Sequence, residues 1–460
     1  MLDTPQPAGG QPRGLLVLAG TEAWERFSYY GMSALLALYL VNELLLPGNV
    51  EHVIGFATLR AGLEGIFGPL STQALASQIF GIYSAFVYLT PILGGLLADR
   101  LLGARKTVII GGVLLAAGHF AMAFSASFLL ALLLLILGTG CLKGNISAQV
   151  GRLYPDGETE ARTRGYMVFS IAISVGAMIG PVVCGALAQA YGWHAGFGAA
   201  AALMMIGLLT YLLGLRRLPL DPPRRVRTAR QPLDVGERRT IGALALVVGI
   251  TVFQSTAYNQ SANVGLVWIA ANVDLGTGLG KVPAAWFPSL DALAGILAAP
   301  VLIALWTRRE ARGRAVAPLR KIATGAAIAA GASWLLAAGA ASAGPGGASL
   351  IWPVLAFTAF GVGYMHYWPT CLALISEAAP ERLKATLMSL SFVSFFFSNL
   401  LVGWFGSFYE PLGAIRFWLV NGAIALGGAV LAVLLRRQIT AALAPRPSGL
   451  REAGERLSPA

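Results

Sequence analysis

Two acids and a base interrupt an otherwise apolar run in the stretch TEAWERFSYYG, residues 21–31. At about 100° per residue, Glu22, Glu25, Arg26, Tyr29 and Ser33 share one helix face. An ionised side chain near the centre of a bilayer costs about 2.5 kcal/mol or more, so such groups face a bundle interior or a wet cavity and take partners. Arg26 stands i,i+4 from Glu22 and can pair with it, which leaves Glu25 needing a second cation. Lys143, inside the apolar run LGTGCLKGN, supplies one, and the four charges then sum to zero. The chemistry open to this set is proton exchange. Opening or closing a cavity changes both the desolvation and the charge that fix a carboxyl's proton affinity. A ligand carboxylate that competes for Arg26 or Lys143 deprives a Glu of its partner and favours protonation, which couples ligand to proton. The competing reading, a salt-bridge cluster that only ties two helices together, is the weaker one, because buried ion pairs rarely stabilise more than apolar packing does.

The elements that position these residues follow from composition. The chain has 460 residues, 56% of them hydrophobic and 12% charged, with a mean hydropathy of +0.69, values that point to a polytopic all-α membrane protein. Crossing the hydrocarbon core takes about 20 apolar residues. Twelve such spans are expected, near 14–42, 75–98, 107–124, 127–150, 165–188, 195–215, 240–270, 284–306, 319–340, 350–375, 384–408 and 413–435. The polar, Pro/Gly-rich residues 1–13 read as a tail rather than a cleavable signal. Cys141, Cys184 and Cys371 lie within spans and are odd in number, so they read as small packing residues and not as disulfides or a metal site.

Apart from Arg26, Arg60, Lys143, Lys281 and Arg416, every Lys and Arg lies in the N-terminal tail, in alternate loops or in the C-terminal tail. The positive-inside rule then places both termini in the cytoplasm. The formal charge of +12 therefore reports topology and contact with anionic lipid, and nucleic acid is not an expected partner. The Arg- and Pro-rich stretch 216–239 reads as a cytoplasmic linker between two six-helix bundles, 14–215 and 240–437, with a second tail at 438–460. Two such halves around a cavity form the major facilitator architecture. Within the long first loop, HVIGFATLRAGLEGIFGPL reads as a short interfacial helix.

At these residues the chain resembles the proton-dependent oligopeptide transporters of the major facilitator superfamily. EAWERFSYYG matches the family's span 1 signature ExxERFxYYG, and VYLTPILGGLLADRLLGARKT matches the end of span 2 with the loop that follows. GTGCLKGN matches GxGxxKPN with Gly144 in place of Pro, and VPAAWFPSLDALAGILAAP and YWPTCLALISEAAPERLKATLMS resemble the entry to span 8 and the region of spans 10 and 11. The resemblance implies that Glu22, Glu25 and Arg26 couple protons, that Lys143 and Arg26 take a peptide carboxylate, and that Tyr29, Tyr30 and Tyr88 line the peptide site. Asp99 and Arg100 would belong to a cytoplasmic gating loop.

The departures from the family pattern carry expectations of their own. Ser33 and Asn259 stand where the family has an arginine and a glutamate, so the extracellular gate is expected to use neutral polar contacts. Tyr364 occupies the position of the glutamate that receives the peptide's amino end, and Ser170 and Ser174 replace a Tyr and an Asn on span 5. Asp291, at the family's Asn position on span 8, is expected to replace the lost acid and bind a substrate amine with Tyr364. The competing reading has Asp291 at the helix mouth, capping backbone amides. His366 on span 10 reads as a neutral, hydrogen-bonded core residue. No Walker A, HExxH or metal-ligand pattern appears, so neither an enzyme nor an ATP-driven pump is expected, and no cofactor. The expected function is proton-coupled import of di- and tripeptides by a monomer in a bacterial inner membrane. The alternatives are carriage of another small zwitterionic or anionic metabolite, or a membrane receptor that transports nothing.

Overall fold

The computed structural model describes residues 11–155, 158–221, 232–278, 280–380 and 383–443. The long apolar runs fold as helices: α1 (Arg13–Tyr39), α3 (Thr72–Leu97), α4 (Ala104–Ala121), α5 (Phe128–Arg152), α6 (Thr159–Tyr191) and α7 (Trp193–Gly214), then α8 (Val235–Asn259), α10 (Phe287–Ala311), α11 (Pro318–Ala341), α12 (Ile351–Ala378), α13 (Lys384–Gly406) and α14 (Tyr409–Leu434). Each lies on one of the expected spans, and eight of them meet a hydropathy criterion for crossing a membrane. Shorter helices are α2 (Phe56–Phe67), where the interfacial helix is expected, α9 (Leu266–Asn272) and α15 (Arg436–Leu443).

Local chemistry sets several boundaries. Ser71 caps α3 by accepting from the Ala74 amide at 3.2 Å. At the start of α8, Asp234 and Glu237 form a reciprocal capping box, with bonds of 2.7 and 3.0 Å. The seventh span does not run through as one helix: after Asn259 the backbone makes a π-turn over Ser261–Gly265 before α9 resumes. A small hairpin, Gly276–Thr277 with Gly280–Lys281, follows. At the far end, the expected C-terminal tail from 438 begins instead inside α15, which packs on α8 and buries Ile439. Charged residues at 436 and 437 suggested a tail, but the amphipathic pattern beyond them makes a further helix. Of the expected linker 216–239, residues 222–231 lie outside the described residues, as do 1–10 of the N-terminal tail and 444–460 of the C-terminal tail.

Packing follows two groups. α1 lies against α6 and α7, and α4 and α3 against α5, while α11 lies against α12 and α14, α13 and α14 against α8, and α10 against α12. The groups meet along α3 with α13 and along α6 with α10. At Gly81 of α3, an added Cβ would stand 2.6 Å from both the Asn399 carbonyl oxygen and the Gly403 Cα of α13. Only a glycine admits an approach this close, and it draws the two groups together at the end bearing loops 43–71 and 407–408. Hydrogen bonds hold that end: Gln78 Nε2 donates to Ser407 Oγ at 3.0 Å, Asn263 Nδ2 to Ser77 Oγ at 3.1 Å, and Trp286 Nε1 to the Val182 carbonyl at 2.9 Å. Ser71 also bonds Glu410.

Candidate functional site

The polar face of α1 is buried as its spacing demands. Glu22, Glu25 and Arg26 are 3%, 1% and 3% exposed, so their charges are balanced by one another and not screened by bulk water. The expected pair of Arg26 with Glu22 is present, but Glu25 takes Arg26 as well instead of Lys143. Arg26 meets both acids: its Nε lies 3.1 Å from Glu22 Oε1, its Nη2 donates to Glu25 Oε1 at 2.7 Å, and its Nε also bonds Glu25 Oε2. Glu22 Oε2 is buried with no hydrogen-bond partner among the described residues. A guanidinium presents five N–H donors in a fixed fork, which lets Arg26 meet two carboxylates of its own helix at once.

Lys143, on α5, is consequently released from Glu25. Its Nζ makes no ion pair with a described residue and sits over the Tyr88 ring at 4.4 Å and the Phe392 ring at 5.8 Å. It remains within electrostatic reach of Glu25 and Glu22. Faces of aromatic rings attract a cation by their quadrupole without supplying a formal negative charge, so this ammonium is held in place and still able to take an anion. Tyr88 of α3 stacks at 4.8 Å on Phe395 of α13, and Trp368 of α12 packs on the same ring at 4.5 Å. The lysine thus stands where α3, α5 and α13 converge. Tyr29 lies under Arg26, 5.2 Å from its Cζ, and meets Tyr30 edge-on at 5.1 Å.

On the opposite group of helices, Asp291 lies in the second turn of α10. No backbone amide of the described residues donates to it; the Tyr258 hydroxyl of α8 donates to its Oδ2. Tyr258 packs on Tyr364 at 5.2 Å and on Phe360 at 5.9 Å. An added Cβ at Gly361 of α12 would reach 2.2 Å from the Asp291 carbonyl oxygen, so α12 abuts α10 here and brings Tyr364, one turn on, to the same place. Asp291, Tyr258 and Tyr364 are all half-buried, and Asp291 is within electrostatic reach of Tyr30 on the other side.

Asn259 Nδ2 is buried with no hydrogen-bond partner among the described residues, and Ser33 lies against Tyr29 of its own helix. Neutral polar contacts do close this end, but through Ser77, Gln78, Asn263 and Ser407 instead. Asp99 and Arg100 lie in a π-turn, Ala98–Leu102, and both are exposed. The group that organises this loop is one that sequence reasoning missed: Asp221, which accepts from the Ala104 and Arg105 amides at 3.0 and 3.2 Å and meets Arg152 at 3.4 Å. His366 is buried, its Nδ1 donating to the Val362 carbonyl at 2.9 Å and its ring edge-on to Trp306. Two further omissions are Tyr258 and the pair Phe392 and Phe395. The phenylalanines carried a signal in their i,i+3 spacing in SFVSFFFS; Tyr258 carried none.

A family model described as Major Facilitator Superfamily matches residues 26–403. The chain belongs to the major facilitator superfamily. Within this superfamily it is 29% identical, over 94% of its length and 96% of the relative's, to a di-/tripeptide transporter of Lactococcus lactis subsp. cremoris. It is 28% identical to the peptide transporter YePEPT of Yersinia enterocolitica, over 86% of this chain and 88% of the other. A crystal structure of peptide transporter POT in complex with sulfate superposes with a TM-score of 0.82 at 26% identity, covering 95% of this chain and 97% of that one. The resemblance to the oligopeptide transporters, and with it the facilitator fold and a place in a membrane, is borne out.

Proposed function

We propose that the chain is a proton-coupled symporter that carries di- and tripeptides by alternating access. Peptide transport is supported by the similarity to peptide transporters along nearly the whole length of the chain. One observation carries the coupling: a single guanidinium faces two dry carboxylates, while the nearby ammonium of Lys143 rests on aromatic rings instead of an acid. The direct contacts leave one negative charge in excess, with Glu22 Oε2 unbonded. Lys143 offsets that excess only at a distance. When a peptide carboxylate binds Lys143 it cancels this field, and a proton on Glu22 or Glu25 then restores neutrality. Substrate and proton therefore favour each other's binding.

In this reading Arg26, Tyr29, Tyr30, Tyr88 and Lys143 form the carboxylate end of the site, and Asn259, Asp291 and Tyr364 face it from the second half. Asp99 and Arg100 belong to a loop that moves during gating. The twelve long helices all span, as bundles 14–215 and 240–437, with both termini in the cytoplasm of a bacterial inner membrane. The end sealed by α3 and α13 is then the external one, and the protein rests closed to the outside. The reading is transport without chemical conversion. Addition of dialanine to proteoliposomes with an entrapped pH dye tests it. Lumen acidification that depends on dialanine supports symport; dialanine entry with no proton movement overturns the coupling.

A further inference from the structure

A cavity of about 360 Å³ lies where the two helix groups meet, at the end bearing loops 43–71 and 407–408. Its volume falls within the range of small-molecule sites, roughly 300–1,000 Å³. The first group lines it with Phe67 of α2, the α3 cap Ser71 and Gln78, and the second with Trp404, Phe408 and Glu410. None of the residues around Arg26, Lys143 or Asp291 belongs to this wall.

The wall carries charge of one sign. Glu410 lines it, and no Lys, Arg or His among the described residues of the wall answers that carboxylate. Glu410 Oε2 accepts from the Ser71 hydroxyl, while Oε1 receives no hydrogen bond from a described residue. Both hydroxyls of the wall are committed as donors, Ser71 to Glu410 and Ser407 to the Gly403 carbonyl at 3.1 Å, and the Gln78 amide nitrogen donates to Ser407 at 3.0 Å. An anion entering here would meet a carboxylate and neither a cation nor a free hydroxyl. Trp404 and Phe408 meet edge-on at 5.2 Å, and both rings are exposed, as is that of Phe67. A carboxylate beside accessible rings suits an ammonium carried on an apolar body, which gains from the charge, the ring quadrupoles and apolar burial.

We propose that this cavity binds an organic ammonium, and that the occupant bridges both helix groups and holds this end closed. The effect on transport rests on the alternating-access reading; the binding does not. Because the wall is shared between the groups, an occupant favours the arrangement in which they are adjacent. Opening this end parts Ser71 from Glu410 and divides the site. An occupied protein therefore completes fewer transport cycles, without competition for the peptide at Lys143. Two sources supply this chemistry: a soluble aromatic amine and the ethanolamine headgroup of a lipid.

Equilibrium binding of phenethylammonium to the purified full-length protein in phosphatidylcholine nanodiscs tests the site, with phenylacetate as the anion of similar shape. The wild type, Glu410→Gln and Trp404→Ala are compared, with thermal unfolding recorded for each. The wild type is expected to prefer the ammonium by about tenfold or more, the range of a charge-assisted hydrogen bond. Glu410→Gln keeps an oxygen for Ser71 and should lose that preference, and Trp404→Ala should weaken the ammonium about threefold. Saturating dialanine should leave phenethylammonium bound. In proteoliposomes phenethylammonium should lower the maximal rate of dialanine uptake without raising KM. A wild type that binds no phenethylammonium, a full preference retained in Glu410→Gln, or displacement by dialanine would overturn the proposal. Should Glu410→Gln unfold, Trp404→Ala decides: weaker binding supports the site and unchanged binding overturns it. Binding that leaves uptake unaltered would overturn the closing role. Nanodiscs containing phosphatidylethanolamine separate the sources: a lower apparent affinity for phenethylammonium assigns the site to the headgroup, an unchanged one to a free amine, and each supports ammonium recognition. A wild type that takes up no dialanine would contradict the peptide reading, while the binding comparison would still decide the site.

Discussion

Arg26 and Lys143 divide the cationic work of the first half unequally. Arg26 neutralises acids of its own helix, whereas Lys143 is positioned by Tyr88 and Phe392 and left open to an anion. Replacing Lys143 by Ala is expected to weaken dialanine binding at least tenfold, roughly the loss of one charged hydrogen bond, as read by equilibrium binding. Glu25→Gln removes a charge and keeps the shape. It is expected to abolish uptake driven by a proton gradient while preserving exchange of dialanine for dialanine, which requires no net proton movement; loss of both activities would point to a purely structural acid. The acids and Arg26 were legible in the sequence because helix spacing alone puts them on one face. The pair of Arg26 with Glu22 was legible for the same reason; the partner of Glu25 was not, since that choice turns on the reach of a guanidinium and on rings brought in by α3 and α13. Tyr258 was invisible for the same reason: its partner Asp291 belongs to another helix, and only the packing of α8 on α10 and α12 brings them together.

Among the elements, α3 and α13 form the contact most exposed to testing. A leucine at Gly81 would drive a side chain into the Asn399 carbonyl and the Gly403 backbone. Neither can yield like the tip of a flexible side chain, so Gly81→Leu is expected to wedge this end apart. The check is a cysteine introduced at Ser407, which should react faster with an external thiol reagent in the Gly81→Leu background than alone. In the other half, Asn421 of α14 donates to the Ala257 carbonyl and to Ser333 Oγ, both at 3.1 Å, and is fully buried. Asn421→Ala removes both of these buried hydrogen bonds, leaving Ser333 Oγ with the Ala329 carbonyl alone, and is expected to cost about 1–3 kcal/mol, read as a lower unfolding temperature in detergent. Long helices were legible because an apolar run of this length has few other fates in a bilayer. The π-turn after Asn259, α15 and the anchoring of Asp221 on the α4 N-terminus were not. The π-turn and the Asp221 contact depend on packing between segments distant in sequence, while the short amphipathic pattern of α15 was hidden by the charged residues that open it.

For the whole molecule, the proposed topology puts the loops rich in Arg and Lys at one end and the α3–α13 seal at the other. In a background lacking Cys141, Cys184 and Cys371, a cysteine at Ala315 is expected to react with an impermeant reagent only from the cytoplasmic side, and one at Ala343 only from outside. Reversed labelling would invert the topology, and with it the side to which the protein rests closed. Fold and membrane character were legible from hydropathy and from the signature on α1, which the superfamily match over residues 26–403 bears out. Substrate detail was less so, because the contacts of Asp291, Tyr258 and Tyr364 depend on how α8, α10 and α12 pack. The central claim is that peptide and proton move together through the α1 acids and Lys143. Its most direct test is uptake of labelled dialanine by proteoliposomes, with and without an inward proton gradient, in the wild type, Glu25→Gln and Lys143→Ala. Accumulation that requires the gradient and is lost in both variants is the expected result. Gradient-driven accumulation that survives in Glu25→Gln, or a folded wild type that takes up no dialanine, would contradict it.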